Sequence, residues 1–423
     1  LNTELARLNH VLIPATSAER DRYRNSRTFR RLRRFGMPFA RLSREGRALL
    51  GMACISGLFS ADLGRTQAHV LVFSTAALLV AALLFTPAYR LTDVTAHVAV
   101  ARRVTVGDEL AITVTLHNAG QKEQRGVRWE PPFLPWDGSF RGPASLVVNL
   151  PAGGRTSSVI RACFVARGQH QLDPFRALPL LPLRLSQGAP LRTPPVRFIV
   201  VPRVARVLSI STPKNRRHQP GGVARASRTG DATDLLGVRP YRPGDPVRDL
   251  HARSWARHGS PMVREYQEEY FTRIGIVLDT DSSAANREHL EGALSLSAGI
   301  IACLCRGEAL VDVLVTGEHV AKLALGRSLG ALDQALDLLA VVRPQPGFAS
   351  ERTLAQLAPH LERLSSVVFV ALAWDDARVA FVAALRARGV GCVVLIVGDE
   401  AGRTASATTV PLSAIVQGEA ISL

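Results

Sequence analysis

Three short apolar runs do most to restrict what this chain can fold into. They are Ile274–Leu278, Val367–Ala373 and Cys392–Val397. Each is too short for a helix, is continuous rather than alternating, and is separated from the next by helical periodicity. Continuous apolar strands between amphipathic helices predict a mostly parallel sheet covered on both faces. Arg287–Arg306, Leu329–Val342, Ser350–Leu364 and Arg378–Arg388 supply the helices, and Leu310–Thr316 and Val320–Leu325 two further strands. In such a sheet ligands collect beyond the C-terminal strand ends. Two of the runs end in carboxylates there: Asp279 and Asp281 with Ser283 after the first, and Asp375 with Asp376 after the second. Carboxylates and hydroxyls converging on one crevice suit a hard cation such as Mg²⁺. The same residues also suit helix N-caps, since both clusters precede a helix.

Upstream the pattern has period two. Asp93–Val100 and Glu109–Asn118 alternate, with turn residues at Gly107-Asp108 and Asn118-Ala119-Gly120. With Val127–Glu130, Ser145–Leu150, Ser157–Ala166 and Val196–Val201 they predict an antiparallel β-sandwich over 91–205. No cluster in it has catalytic spacing, and Trp129 and Trp136 read as core or rim packing.

The first 47 residues hold twelve arginines and four acidic residues. Ala48–Ala61 and Ala68–Tyr89 then follow, the second with 22 residues and no Asp, Glu, Lys or Arg. Since a spanning helix needs about 20 apolar residues, the pair reads as a transmembrane hairpin over 48–90. The Arg-rich segment 1–47 would then be cytoplasmic, and so would everything after residue 90. The net charge of +17 fits an anionic lipid surface. A basic connector covers 206–229. It lacks the aromatic interleaving that stacks bases, so no nucleic acid is expected. Nor is a nucleotide, because Gly221–Ser227 lacks the P-loop lysine. The five cysteines fit neither a zinc site nor a disulfide framework.

Between the connector and the first apolar run lies a stretch dense in Arg, Asp and aromatic residues. Gly230-Asp231, Tyr241-Arg242-Pro243-Gly244-Asp245, Arg248, His251, Arg257 and Arg264-Glu265, with Asp279 after them, resemble the domain-of-unknown-function 58 family. Ala252 and Trp255 depart from that pattern, which has Trp directly after the His and a small residue three places later. The resemblance implies a multi-pass protein of the bacterial cytoplasmic membrane, with soluble domains in the cytoplasm. It also implies a C-terminal α/β Rossmann-like domain over 230–423 akin to von Willebrand factor A, and a MoxR-type AAA+ ATPase as partner. The adhesion-type metal site of such domains has an Asp-x-Ser-x-Ser pattern, a later loop hydroxyl and a distal Asp. Asp279, Ser283 and Asp375 match its two Asp places and its last Ser; Asp281 stands at the first Ser place, and Ser350 is the nearest loop hydroxyl.

On the residues themselves, Pro243-Gly244 is a turn, with Asp245 and Arg248 placed to bridge and Arg264-Glu265 a second charge pair. The stretch reads as a packed lead-in to the sheet, or else its Arg and His residues meet an anionic partner group. His251 has no Ser or Cys nucleophile at a recognisable spacing. The expected function is that of a membrane-anchored, non-enzymatic docking protein. A divalent-metal phosphoester hydrolase using Asp279 and Asp375 is the alternative.

Overall fold

The computed structural model describes residues 41–59, 66–86, 89–143, 145–180, 182–213, 235–266, 273–281, 283, 286–306, 310–315, 321–325, 330–361, 364–399, 402–403 and 407–423. The chain forms two compact units, divided between Val201 and Pro202.

The first unit opens with helices α1 (Arg44–Phe59) and α2 (Thr66–Phe85). The expected pair of transmembrane helices is not shown: among the described residues neither helix is long and apolar enough to cross a membrane. Helix α1 has 16 residues, about 24 Å of helix against a hydrocarbon core of about 30 Å. The apolar part of α2, His69–Phe85, also falls short of a spanning length. Both helices are tied instead to the loop before Gly188. Ser43 N donates to Leu185 O at 2.9 Å, and Ser186 Oγ donates to Ala82 O at 2.9 Å. Gly46 sits so close to this loop that a Cβ would lie 2.0 Å from Leu185 O. Among the described residues the one helix long and apolar enough to cross a membrane is Arg287–Cys305, and 61% of its apolar window is buried in the fold. That helix belongs to a core.

Eleven strands follow: β1 (Val94–Val100), β2 (Arg103–Thr105), β3 (Glu109–Asn118), β4 (Gln124–Glu130), β5 (Gly138–Arg141), β6 (Leu146–Leu150), β7 (Arg155–Phe164), β8 (Gly168–Leu172), β9 (Arg176–Pro179), β10 (Leu191–Arg192) and β11 (Val196–Val201). They form sheets β1-β3-β7-β5, β10-β9-β4-β6 and β2-β11-β8. All pairs are antiparallel except β2 with β11. The period-two sequence of β3 puts Leu110, Ile112, Val114 and Leu116 into one core with Trp129, Phe164 and Phe198. Asn118 ends β3 and orders the turn after it: its side-chain amide donates to Lys122 O and Pro151 O, and its Oδ1 accepts from Gly120 N.

The second unit contains β12 (Val207–Ser209), β13 (Leu235–Pro240), α3 (Ala252–His258), β14 (Met262–Tyr266), β15 (Arg273–Leu278), α4 (Arg287–Cys305), β16 (Leu310–Val315), β17 (Ala321–Leu325), α5 (Ala331–Ala340) and α6 (Ser350–Leu361). It is completed by β18 (Ser366–Ala371), α7 (Asp376–Ala387), β19 (Gly391–Gly398), β20 (Gly402–Arg403), β21 (Thr408–Pro411), α8 (Leu412–Gln417) and β22 (Ile421–Ser422). Seven strands make one sheet in the order β17-β16-β15-β18-β19-β21-β20. The five from β16 to β21 are parallel, and the edge strands β17 and β20 are antiparallel. Helices α6 and α7 share a core with Val277, Phe369 and Val394. Helix α4, with twelve buried residues, packs against β15, β16, β18 and β19. Strand β12 pairs with β22, so the beginning of the expected connector belongs to this unit; residues 214–229 lie outside the described residues.

Candidate functional site

Strand β15 has β16 on one side and β18 on the other, and the chain visits them in separate excursions. The topological switch point therefore lies at the C-terminal ends of β15 and β18, where such sheets hold ligands. Asp279 follows β15 directly and is fully buried; Asp281 is 5% exposed; Asp375 caps α7, its Oδ1 accepting from Arg378 N at 3.0 Å. The three carboxylates do converge, and what they converge on is the guanidinium of Arg378, itself fully buried.

Arg378 Nε donates to Asp279 Oδ2 at 2.7 Å, Nη2 donates to Asp281 Oδ2 at 3.0 Å, and Nη1 donates to Asp375 Oδ2. The remaining oxygens are taken up locally. Asp279 Oδ1 accepts from Asp281 N, and Asp279 Oδ2 also accepts from Leu372 N. Asp281 Oδ1 accepts from Ser283 N, Ser283 Oγ and Gly347 N. The ring of Phe348 lies 4.9 Å from the guanidinium carbon, a cation–π distance. Burial drives the Asp279 carboxyl above its ordinary range, and the hydrogen bond from Arg378 pulls it back. For Asp281 burial is outweighed by the bonds from Ser283, Arg378 and Gly347, and its carboxyl is held low. Burial opposes the charge of Arg378, but its pairing with Asp279 and Asp281 holds it above even the usual arginine value.

This arrangement corrects the expected metal set. A cation already stands among Asp279, Asp281 and Asp375, and it is covalently part of α7. Ser283 N and Oγ both donate to Asp281 Oδ1, so this residue belongs to the same network. Ser350 opens α6 and takes no part in the network; the loop before it contributes the backbone N–H of Gly347 instead. Among the described residues no group of three or more His, Cys, Asp or Glu side chains is placed to hold a metal ion. The residues present do not fit a resident Mg²⁺, and the carboxylates that a metal-dependent hydrolase would need are committed to Arg378. Sequence reasoning missed Arg378. The available signal was a basic residue in the first turn of α7, the helix end that disfavours positive charge unless acids surround it.

The motif-bearing stretch forms a separate feature. Strands β13 and β14 form a two-stranded antiparallel hairpin, and Leu250 adds an isolated bridge to Val263 of β14. Between them Pro243-Gly244 makes the turn, with Gly244 at φ 105°. Asp245 pairs with Arg239 and not with the expected Arg248: Arg239 Nη1 and Nη2 donate to its two oxygens at 2.7 and 2.8 Å. The same carboxylate accepts from Arg242 N, and these bonds hold its pKa down at about 2.

His251 caps α3, and its Nδ1 lies 2.7 Å from Ser254 Oγ, a Ser–His contact that the sequence reading did not find. The ring has no orienting carboxylate among the described residues, so this is a helix-start contact rather than an activated nucleophile. Neither the 3₁₀ turn Val247–Asp249 nor α3 contains a buried residue. Tyr241, Val247, Trp255, Arg257 and Arg264 are exposed, and Val263 is buried. The expected packed lead-in is thus largely a displayed surface. Gly230 and Asp231 lie outside the described residues, as does the side chain of Glu265.

No protein-family model matches the chain, and no curated protein matches it either. Among solved structures it is similar to the part of alpha-2-macroglobulin from Escherichia coli running from domain MG7 to the C-terminus. That match has 18% identity and a TM-score of 0.22, and covers 26% of this chain and 17% of that one. A FixG-related protein from Vibrio parahaemolyticus is 13% identical with a TM-score of 0.19, over 26% of this chain and 97% of that one. The enzyme AvmM, described as catalysing macrocyclization in alchivemycin A biosynthesis, is 13% identical with a TM-score of 0.17, over 27% and 95% of the two chains.

Proposed function

We propose that this chain is a docking protein without turnover of its own, and that its second unit engages a partner protein through the β13–β14 hairpin and α3. The observation that carries the reading is the exposure of a helix in which no residue is buried, bearing a 42% exposed Trp255. A large aromatic flanked by arginines is the composition of an interface anchor. Arg242, Arg253, Arg257, His258 and Arg264 are exposed around it, so the matching surface on the partner is acidic. The resemblance to the domain-of-unknown-function 58 family makes a MoxR-type AAA+ ATPase the candidate to test first.

The test is capture of that ATPase by the full chain, compared with Trp255→Ala and with the pair Arg253→Glu, Arg257→Glu. Both variants alter exposed residues of a helix that buries none, and circular dichroism of each checks that the fold is retained. Affinity should fall at least about tenfold in each, as removal of an interface anchor or reversal of rim charge requires. Capture unchanged by either variant, or no capture by the wild-type chain, defeats the proposal.

A further inference from the structure

We infer that Arg378 is a built-in cation that takes the place of a divalent metal at the switch point, so that the crevice end of the second unit is set without any metal. This stands independently of the docking proposal, since it concerns how the loops are held and not what they meet.

Three segments must be joined at this end of the sheet: the turn after β15, the loop between β18 and α7, and the loop Gln345–Phe348 that leads into α6. A divalent cation would join them by collecting oxygens from each. Here the guanidinium links Asp279 and Asp281 of the turn after β15 to Asp375 of the loop before α7 with three separate N–H groups, and the loop before α6 joins through Gly347 N on Asp281 and Phe348 against the guanidinium. A planar fork of fixed donors suits this task better than a flexible ammonium would. Every oxygen of Asp279, Asp281 and Asp375 already accepts a hydrogen bond within the protein. A dication on these oxygens would have to displace those donors and sit within a few ångströms of a buried positive charge.

Two properties separate this device from a metal site. A metal exchanges with solvent, whereas Arg378 cannot leave. A metal also keeps a coordination position for a carboxylate of the partner. The guanidinium has none to offer, being enclosed by Asp279, Asp281 and the ring of Phe348. The exposed group at this end is Asp375, whose side chain is 50% accessible. Anything approaching it therefore meets negative charge.

The experiment titrates Mn²⁺ into the full chain and reads binding by electron paramagnetic resonance, with thermal melting in chelator and in excess Mg²⁺ alongside. The wild-type chain should show no stoichiometric Mn²⁺ site that Asp279→Asn removes, and no shift in melting between chelator and Mg²⁺. Arg378→Ser vacates the central position while leaving all three carboxylates. It should melt lower in chelator, gain one saturable Mn²⁺ site and recover part of the loss when the ion is added. A wild-type Mn²⁺ site abolished by Asp279→Asn overturns the inference, and so does a folded Arg378→Ser chain that takes up no Mn²⁺. Should Arg378→Ser fail to fold, the wild-type and Asp279→Asn titrations decide the question.

Discussion

Replacing Arg378 by Met keeps the length and apolar stem of the side chain and removes only the charged fork. Asp279 is then left fully buried with two backbone N–H donors and no counter-charge, and Asp281 loses its ion pair. The bond to Asp375 counts for little, because that carboxylate is half exposed and well solvated. Breaking a buried ion pair by removing one partner costs about 3–5 kcal/mol, mostly through the stranded charge. Amide hydrogen exchange in β15 and β18, the buried central strands, reads that loss. Exchange from the globally opened state should speed up by roughly two to four orders of magnitude.

The pH dependence supplies a second signature. Burial alone already raises Asp279, and loss of Arg378 raises it further. A carboxyl with a raised folded pKa favours folding most below its unfolded value of about 3.9, and this contribution is lost as pH rises through the folded value. The deficit of Arg378→Met relative to wild type should therefore shrink as pH falls from neutral toward about 5. Adding Asp279→Asn should restore at least about 1 kcal/mol, because two groups in one network couple. If Arg378→Met exchanges within tenfold of wild type and its deficit is flat with pH, the guanidinium is not the electrostatic lock described here.

Two further pH effects follow from pairs elsewhere. Asp245 is held at about 2 by Arg239 and Arg242 N, so the order of the Tyr241–Asp245 turn should persist down to about pH 4 and be lost toward pH 2, as followed by amide chemical shifts. In the sandwich, His170 Nε2 lies 2.6 Å from Asp137 Oδ2, and its ring packs against those of Phe164 and Phe198. Burial works against the charged imidazole, but the bond to Asp137 prevails and its pKa is raised. Its stabilising contribution is complete below about 6.5 and is lost as pH rises through the folded value, so melting of the first unit should fall as pH rises above about 6.5. His170→Phe should remove that slope.

How legible the molecule was depends on how local each cause is. The run Ile274–Leu278 could be read as a central strand because a strand buried on both faces must be apolar at every position. Leu110, Ile112, Val114 and Leu116 could be read as one face because their period is two. The helix pair at 44–85 shows the limit of composition. Apolar content alone suggested a bilayer, while the hydrogen bonds of Ser43 and Ser186 to distant backbone groups, which remake that assignment, leave no periodic trace. The packed reading of the motif stretch met a related limit: Asp245 is paired and Val263 buried, whereas Tyr241, Val247, Trp255 and Arg257 are exposed. Its charge density is compatible with either pairing or display, and local sequence does not distinguish the two.

Sequence by itself determined that Asp279, Asp281 and Asp375 would stand at strand ends, because each directly follows or closely trails an apolar strand. That those ends neighbour one another was decided by the pairing of β15 with β18, which alternation of strands and helices does not specify. What those carboxylates hold was decided only in the tertiary structure. Arg378 lies 99 residues from Asp279 in the chain, and the first turn of α7 points it inward only once β18 has been placed beside β15. Oxygen ligands attract any cation of suitable size and reach. Whether that cation is an ion from solution or a side chain from the next helix depends on where the helix begins, and no spacing in the sequence records it.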